Sequence, residues 1–479
     1  MRIARLAPVA AALALATAAC SGDDGDEQAA RSTAAATTEA RQATSATTIT
    51  VVEPDAAGSA TSTTVVTATN AVDVALTYVG AAASAPAATG GAAEPIVIGY
   101  VNEQGGTPSF PEATIGADAA VDYVNTVLGG VRGQPVALHP CFVVNPGDGE
   151  RCAAELLADD RVDVVLTGTI SRESLSRPLL AALRGRKPVV VANPLTTAEL
   201  VADDAYAFTP GPPGIIQGMS IFAARFLPGG PPGLVLVAHA DSASGRSAYT
   251  ALAKPALDTL GVPSVGVGIP AGASGADVAS AVAAANASAA GAVIVLTPMA
   301  GCIAVHDGLT ALRSGAAVVA TDLCRGPAMS RHLAAQGGAE SPDGWYFGGT
   351  GYSYRIPGNA ELDAYVRAID AYADREGVSS LDPAGFAGPT YGNVLTIVRL
   401  MNDLGAADVT PDAMRVAARA FRGPMWGVVG PMACGANRAF PALCGFQMGI
   451  QQFSGGRWVS VRDGANGRPV DPRLELATG

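Results

Sequence analysis

The chain has 479 residues, 49% of them hydrophobic but only 5% aromatic, so it can bury a large core built mainly from Ala, Val and Leu, and its length suits two lobes. Its formal net charge is −12, and no block of clustered Lys and Arg interrupts the acidity. That excludes a phosphate-binding surface and with it a nucleic-acid partner.

The first twenty residues, MRIARLAPVAAALALATAAC, place two arginines before an apolar run too short to span a bilayer comfortably, followed by small residues ending at Cys20. This is the pattern of a secretory signal over 1–20. TAAC resembles the bacterial lipoprotein lipobox, in which the cysteine after the cleavage site receives the lipid, although Thr17 stands where that motif prefers Leu. Ordinary cleavage after Ala19, leaving Cys20 as a free thiol, is the competing reading. Residues 21–94 are rich in Ala, Thr, Ser and Asp, with nine acidic residues against two basic ones and no sustained helical or strand period. They read as a disordered tether, in which AVDVALTYV is the one apolar candidate for a folded piece. A flexible chain of that length has an end-to-end distance on the order of 50 Å, enough to hold a domain clear of a membrane.

From Pro95 the pattern changes to short apolar runs alternating with amphipathic segments. PIVIGYV, QPVALHP, VDVVLTG and PVVVANP are separated by predicted helices at 112–128, 149–158 and 174–185, a βαβ rhythm that implies a parallel sheet. Continuous apolar strands imply burial on both faces. After GPPGIIQGMSIFAARFL a second series follows: GLVLVAHA, SVGVGIP, AGAVIVLTP and AVVATD. The remainder predicts a strand at DGWYFGG, helices at about 358–376, 388–404 and 411–421, and a closing hairpin in FQMGIQQFSGGRWVSV that turns at Gly455 and Gly456. The expected fold class is therefore α/β, with two doubly wound parallel-sheet lobes joined by a multi-strand hinge. The expected boundaries are 95–212 for the first part of lobe one, 213–350 for the main part of lobe two, 351–425 for lobe-one helices, and 426–479 for the closing hairpin, hinge and tail.

Cys20 apart, six cysteines remain, and export makes disulfides permissible. Six allow 15 connectivities, but the spacing favours the sequential pairs Cys141–Cys152, Cys302–Cys324 and Cys434–Cys444, each closing a local loop. Metal binding is the weaker alternative: no Cys-x-x-Cys occurs, and none of the four histidines has ligand spacing to a cysteine. No metal or other cofactor is expected.

The run VVLTGTISRES stops abruptly in small polar residues, which places Thr167, Thr169, Ser171 and Ser174 as exposed groups at the end of a buried strand. In open α/β sheets ligands bind beyond the carboxyl ends of strands, where helix N-termini present unpaired N–H groups. Ser171 can donate a hydroxyl there, Thr197 after the next strand can help, and Leu195 can offer its carbonyl. Simple helix capping by Ser171 and Thr197 is the alternative, and the two roles can coexist.

The order of parts resembles the type I periplasmic binding proteins, in particular the branched-chain amino-acid-binding subfamily of ABC transporters. The resemblance rests on IVIGYVNEQGG, on IGADAAVDYVNTVLGGVRGQPV, on TGTISRES followed by PVVVANPLTTAEL, and on FAGPTYGNVLTIVRLM, and it covers about residues 95–465. It implies that Ser171, Leu195 and Thr197, with Thr169 beside them, stand where the family holds a ligand's α-carboxylate and α-ammonium. It further implies that Asp322 supplies a counter-charge from the facing lobe, with N-capping of the next helix as its alternative, and that Phe110 forms an aromatic wall, with a solvent-covering loop residue as the alternative. Asp241 reads better as a helix cap, and Arg172, where the family commonly has a small residue, reads as projecting outward, with recognition of a second carboxylate as its alternative.

No G-x-S-x-G elbow, H-E-x-x-H, Walker A or acid-supported G-x-G-x-x-G occurs, so an enzyme lacks its usual parts, and His139, His239, His306 and His332 read as satisfied loop or helix residues. The resemblance implies a monomeric, lipid-anchored solute-binding component of an ABC importer at the outer face of the cell membrane, partnered by a membrane permease and by a small polar solute, a branched-chain or other amino acid, held between two closing lobes. The alternatives are a ligand-sensing receptor component, or a binder of short amides, urea, or aromatic or dicarboxylic acids.

Overall fold

The computed structural model describes residues 94–349, 360–376, 385–428, 431–461 and 470–476, together with short pieces at 47–53, 62–68 and 78–79. The signal segment and Cys20 lie outside the described residues. Within the stretch expected as a tether, β1 (Thr47–Glu53) and β2 (Ser62–Ala68) pair antiparallel with Thr47 opposite Ala68. Tyr78 and Val79 of AVDVALTYV are buried, and the Val79 carbonyl accepts the Asn402 side-chain amide at 2.8 Å. The first lobe thus draws on chain upstream of Pro95.

The first sheet contains β3 (Ile96–Glu103), β4 (Val136–Val143), β5 (Val162–Ile170), β6 (Val189–Pro194) and β7 (Ala205–Tyr206), all parallel, in the order β4-β3-β5-β6-β7. Successive residues of a strand point to opposite faces. On β3, Ile98 and Tyr100 therefore enter one core with α1 (Pro111–Thr126), while Val97 and Val101 enter the other with α2 (Asp148–Ala158) and α3 (Glu173–Leu183). This is why the strands read as unbroken apolar runs. The late helices Ala360–Glu376 and Ala387–Leu404 also belong to this lobe, packing on α1. Their approach is close: a Cβ at Gly116 would run into the backbone carbonyl of Ala387.

The second sheet contains β8 (Val235–Ala240), β9 (Ser264–Ile269), β10 (Ala292–Leu296), β11 (Ala317–Thr321), β12 (Tyr346–Gly349), β13 (Gly449–Ser454) and β14 (Arg457–Val461), in the order β14-β13-β12-β11-β10-β8-β9. Its first five strands are parallel, and the closing hairpin adds two antiparallel ones, β13 on β12 and β14 on β13. Gly455 and Gly456, with φ of 60° and 76°, supply the paired left-handed residues that a two-residue hairpin turn requires.

The chain leaves the first sheet after β7, enters the second lobe through the buried helix Gly211–Arg225, and is back beside the first sheet by Ala360. Leu443 then bridges Ala207 in lobe one before β13 joins lobe two. Disulfides join Cys141 to Cys152, Cys302 to Cys324 and Cys434 to Cys444. The first staples β4 to α2, the second holds the helix Met299–Ala311 to the turn after β11, and the third closes a loop in the last crossing segment.

Both sheets share one strand order, in which the second strand lies outside the first and the third onward continue on the other side. The order reverses between β3 and β5 in lobe one and between β8 and β10 in lobe two, and at such a point the strand ends form a crevice. That rule directs attention to Glu103 and Ser171.

Candidate functional site

Two expectations about the polar strand end change at once. β5 continues through Ile170, so Thr167 and Thr169 are inside the strand, 1% and 0% exposed, rather than open to a ligand. Among the described residues their hydroxyls have no hydrogen-bond partner. Ser174 is exposed, and Ser171 is buried at 6%.

Ser171 is buried because its donors are taken. Its backbone N–H and its hydroxyl both donate to Glu103 Oε2, at 2.7 and 2.9 Å. The other carboxylate oxygen, Oε1, accepts Nε of Arg172 at 2.5 Å, and an Arg172 terminal nitrogen donates to the Val144 carbonyl at 2.6 Å. Arg172 therefore turns inward, against expectation. A carboxylate buried at the end of β3 needs a paired charge, and the residue after Ser171 is the one within reach.

The next strand end repeats the device. Thr196, not Thr197, is the N-cap of α4 (Thr197–Val201): its hydroxyl accepts the Glu199 N–H at 3.2 Å, and Glu199 Oε2 accepts the N–H groups of Leu195 and Thr196, each at 3.0 Å. Burial pushes the Glu199 carboxyl up to about 8, outweighing the downward pull of these hydrogen bonds. The Ala198 N–H goes to Glu173 at 3.2 Å. Thr197 itself is half-buried at the first helical position.

Around these acids lies an uncharged network. Asn102 Oδ1 accepts the Thr169 N–H at 2.9 Å, and its amide donates to the Phe110 carbonyl at 2.8 Å and to Thr114 at 3.0 Å. Phe110 is not a free loop residue: it precedes α1 at the N-cap position, is 7% exposed, and meets Phe386 edge-on with ring centroids 5.4 Å apart. Asn193 on β6 ties in the late helix by donating to Thr390 at 3.1 Å. Phe110, Thr169, Ser171, Leu195 and Thr197 thus gather at the carboxyl end of the first sheet, where Asn102 bonds Phe110 and Thr169, Glu103 bonds Ser171, and Glu199 bonds Leu195.

Asp322 belongs to the second sheet, where it opens the turn Asp322–Arg325 after β11. It makes no capping bond; the N-cap there is Thr321. Arg325 pairs with its Oδ2 at 3.2 Å, while its buried Oδ1 has no partner among the described residues. Burial raises its pKa, and Arg325 offsets part of that rise. Asp241 is not a cap either: Ser242 caps the following helix, and Asp241 pairs with Arg246 at 2.8 Å.

The histidines are engaged in hydrogen bonds. His139 contacts Asp159 and Glu155, and His239 contacts the Ala240 carbonyl. His306 and His332 share Asp307, at 3.0 and 2.9 Å, on helices of the second lobe. A groove of about 220 Å³, lined in part by Arg177, Leu180, Lys187 and Val201, lies on the outer side of α3 and α4, away from the strand ends.

Sequence reasoning missed Glu103, Glu173 and Glu199. Glu199 had a legible signal, because Thr196-x-x-Glu199 is a capping-box pattern. Glu103 had a weaker one: an acid directly ending an apolar strand run. What Glu103 contacts depends on the neighbouring strand β5, some seventy residues on.

Among the described residues no helix is long and apolar enough to cross a membrane. No curated protein matches the chain. In fold it is similar to an ABC transporter substrate-binding protein from Aeropyrum pernix, at 16% identity and a TM-score of 0.59 over 81% of this chain and 100% of that one. It is also similar to a leucine-binding protein from Thermotoga maritima (16%, 0.55, 79% and 99%) and to a fatty acid ABC transporter substrate-binding protein from Thermomonospora curvata (16%, 0.56, 81% and 95%). Those similar folds are named for solutes as unlike as leucine and a fatty acid, so fold does not choose the solute. The family model described as Periplasmic binding protein matches residues 95–457, which span both sheets, the late helices and the closing hairpin as far as Arg457. With its two like-ordered lobes and repeated crossings, the chain belongs to the periplasmic binding protein family, whose members bind solutes rather than catalyse reactions.

Proposed function

We propose that this chain is the extracytoplasmic, lipid-anchored solute-binding component of an ABC importer, a monomer that closes its two lobes on a small polar solute and delivers it to a membrane permease. The observation that carries the reading is the pair of sheets whose first five strands run parallel in the same order, each presenting strand ends, joined by a chain that crosses between them more than once. Such a linkage acts as a hinge, and hinge closure around a ligand is the motion it permits. Amino acids and their amides lead as solutes, with the polar residues after β5 and β6 on one side and Asp322 as the counter-charge on the other.

A thermal-shift screen against amino acids, amides and organic acids tests the binding role, because a ligand selective for the folded state raises the melting temperature. The expected result is a concentration-dependent rise for one chemical class; no rise for any class would count against solute binding. Intact-mass analysis tests the anchor. Protein made in a host able to lipidate should carry acyl mass on Cys20, and a mature Cys20 without it would remove the anchor.

A further inference from the structure

We infer that Glu103 is a resident carboxylate that closes the strand-end seat of lobe one to solute carboxylates, so that this chain takes an amine or amide lacking a free carboxylate. The inference rests on the solute-binding reading above and narrows it to a chemical class.

A carboxylate needs donors, and both donors of Ser171, the residue that would hold it, are spent. Ser171 has one N–H and one hydroxyl, and both serve Glu103 Oε2. Arg172 gives Nε to Oε1 of the same side chain and a terminal nitrogen to the Val144 carbonyl. At the next strand end the N–H groups of Leu195 and Thr196 serve Glu199, and that of Ala198 serves Glu173. The arrangement is built in rather than loose, since the Glu103 side chain is 1% exposed. A solute carboxylate placed on Ser171 would have to evict Glu103 and leave it buried with Arg172 as its remaining partner. Breaking a buried pair in that way costs on the order of a hundredfold or more in affinity.

The facing lobe offers an acceptor rather than a donor. Glu103 is paired with Arg172 and Glu173 with Arg177, whereas at the end of β11 in the second sheet the buried Oδ1 of Asp322 has no partner among the described residues. An ammonium or amide N–H can use that oxygen, and a second carboxylate cannot. Glu103 therefore acts as a specificity-determining residue: it supplies the anion that the fold's strand-end donors call for and leaves the solute to bring none.

The test compares leucine, valine, phenylalanine and glutamate with their carboxamides by titration calorimetry against the full-length wild-type protein, and measures melting with and without sodium acetate for wild type, Glu103→Ala and Glu103→Gln. The expected result is that the amide of at least one pair binds 100-fold or more tightly than its acid. Acetate should raise the melting temperature of Glu103→Ala, by refilling the vacated seat, and leave wild type unchanged. If Glu103→Ala does not fold, Glu103→Gln decides: it keeps the shape but frees the Arg172 charge, so affinity for the free amino acid should rise at least tenfold. A free amino acid bound by wild type as tightly as its amide, with that binding lost in Ser171→Ala, would overturn the closed seat and leave the solute-binding role standing. Failure of every compound to bind wild type, with acetate still rescuing Glu103→Ala, would keep the seat and overturn the amine or amide assignment.

Discussion

Glu199 offers a measurement of how strongly burial dominates at the strand ends. Its carboxyl is 1% exposed and is pushed up to about 8, first by burial and further by the neighbouring Glu173 charge, against the opposing pull of Thr196 and Leu195. In an unfolded chain a glutamate titrates near about 4.3. Between those two values the folded protein holds a proton that the unfolded chain has released. The stability contributed by the protonated carboxyl is therefore complete below the unfolded value and is lost as pH rises through about 8. The loss is about 1.4 kcal/mol per pH unit, or on the order of 4 kcal/mol from pH 5 to pH 8. Glu199→Gln keeps the size of the side chain and an acceptor for Thr196 and Leu195 but has no proton to lose. Urea unfolding followed by circular dichroism at pH 5, 6, 7 and 8 should show the variant gaining on wild type at each step. Parallel pH profiles for the two proteins would refute the reasoning, because they would mean that Glu199 titrates alike in the folded and unfolded states.

Other predictions follow from the same contacts. Ser171→Ala removes a hydrogen bond to a buried carboxylate and should cost about 1.5–3 kcal/mol of stability in urea, with solute affinity changed less than about threefold in calorimetry; lost affinity without lost stability would return that hydroxyl to the solute. Gly116→Ala drives a methyl into the Ala387 carbonyl where α1 meets the late helix and should destabilise by about 1–3 kcal/mol, so an unchanged urea midpoint would show that the two helices separate freely. Replacing both Cys302 and Cys324 by Ser opens a link between residues 22 apart in sequence and should cost about 3 kcal/mol. Non-reducing peptide mapping of the exported wild type should recover that pair joined.

Much of the architecture was legible because it is periodic. Runs such as VDVVLTG and AGAVIVLTP read as strands buried on both faces, since a parallel sheet covered by helices leaves no position for a polar residue, and β5 and β10 are those strands. Gly455-Gly456 marked the closing turn because only glycine adopts two successive left-handed conformations at little cost. The cysteine pairs were legible because each spans a short loop. Partner choice at the strand ends was not. Ser171 looked available because its sequence neighbours gave it nothing to bond, and Arg172 looked exposed because arginines usually are. Both were decided by Glu103, brought to them by the pairing of β3 with β5. Asp241 looked like a cap because short acids often cap helices, and Asp322 looked like a counter-charge or a cap, yet arginines within one or two turns claimed both. From Pro95 onward the sequence by itself determined most of the strands and helices, because they follow from local periodicity and backbone preference. Only the tertiary structure decided which donors remain for a solute, because a hydrogen-bond donor is spent by whatever acceptor the fold places within about 3 Å of it, however far away along the chain that acceptor lies.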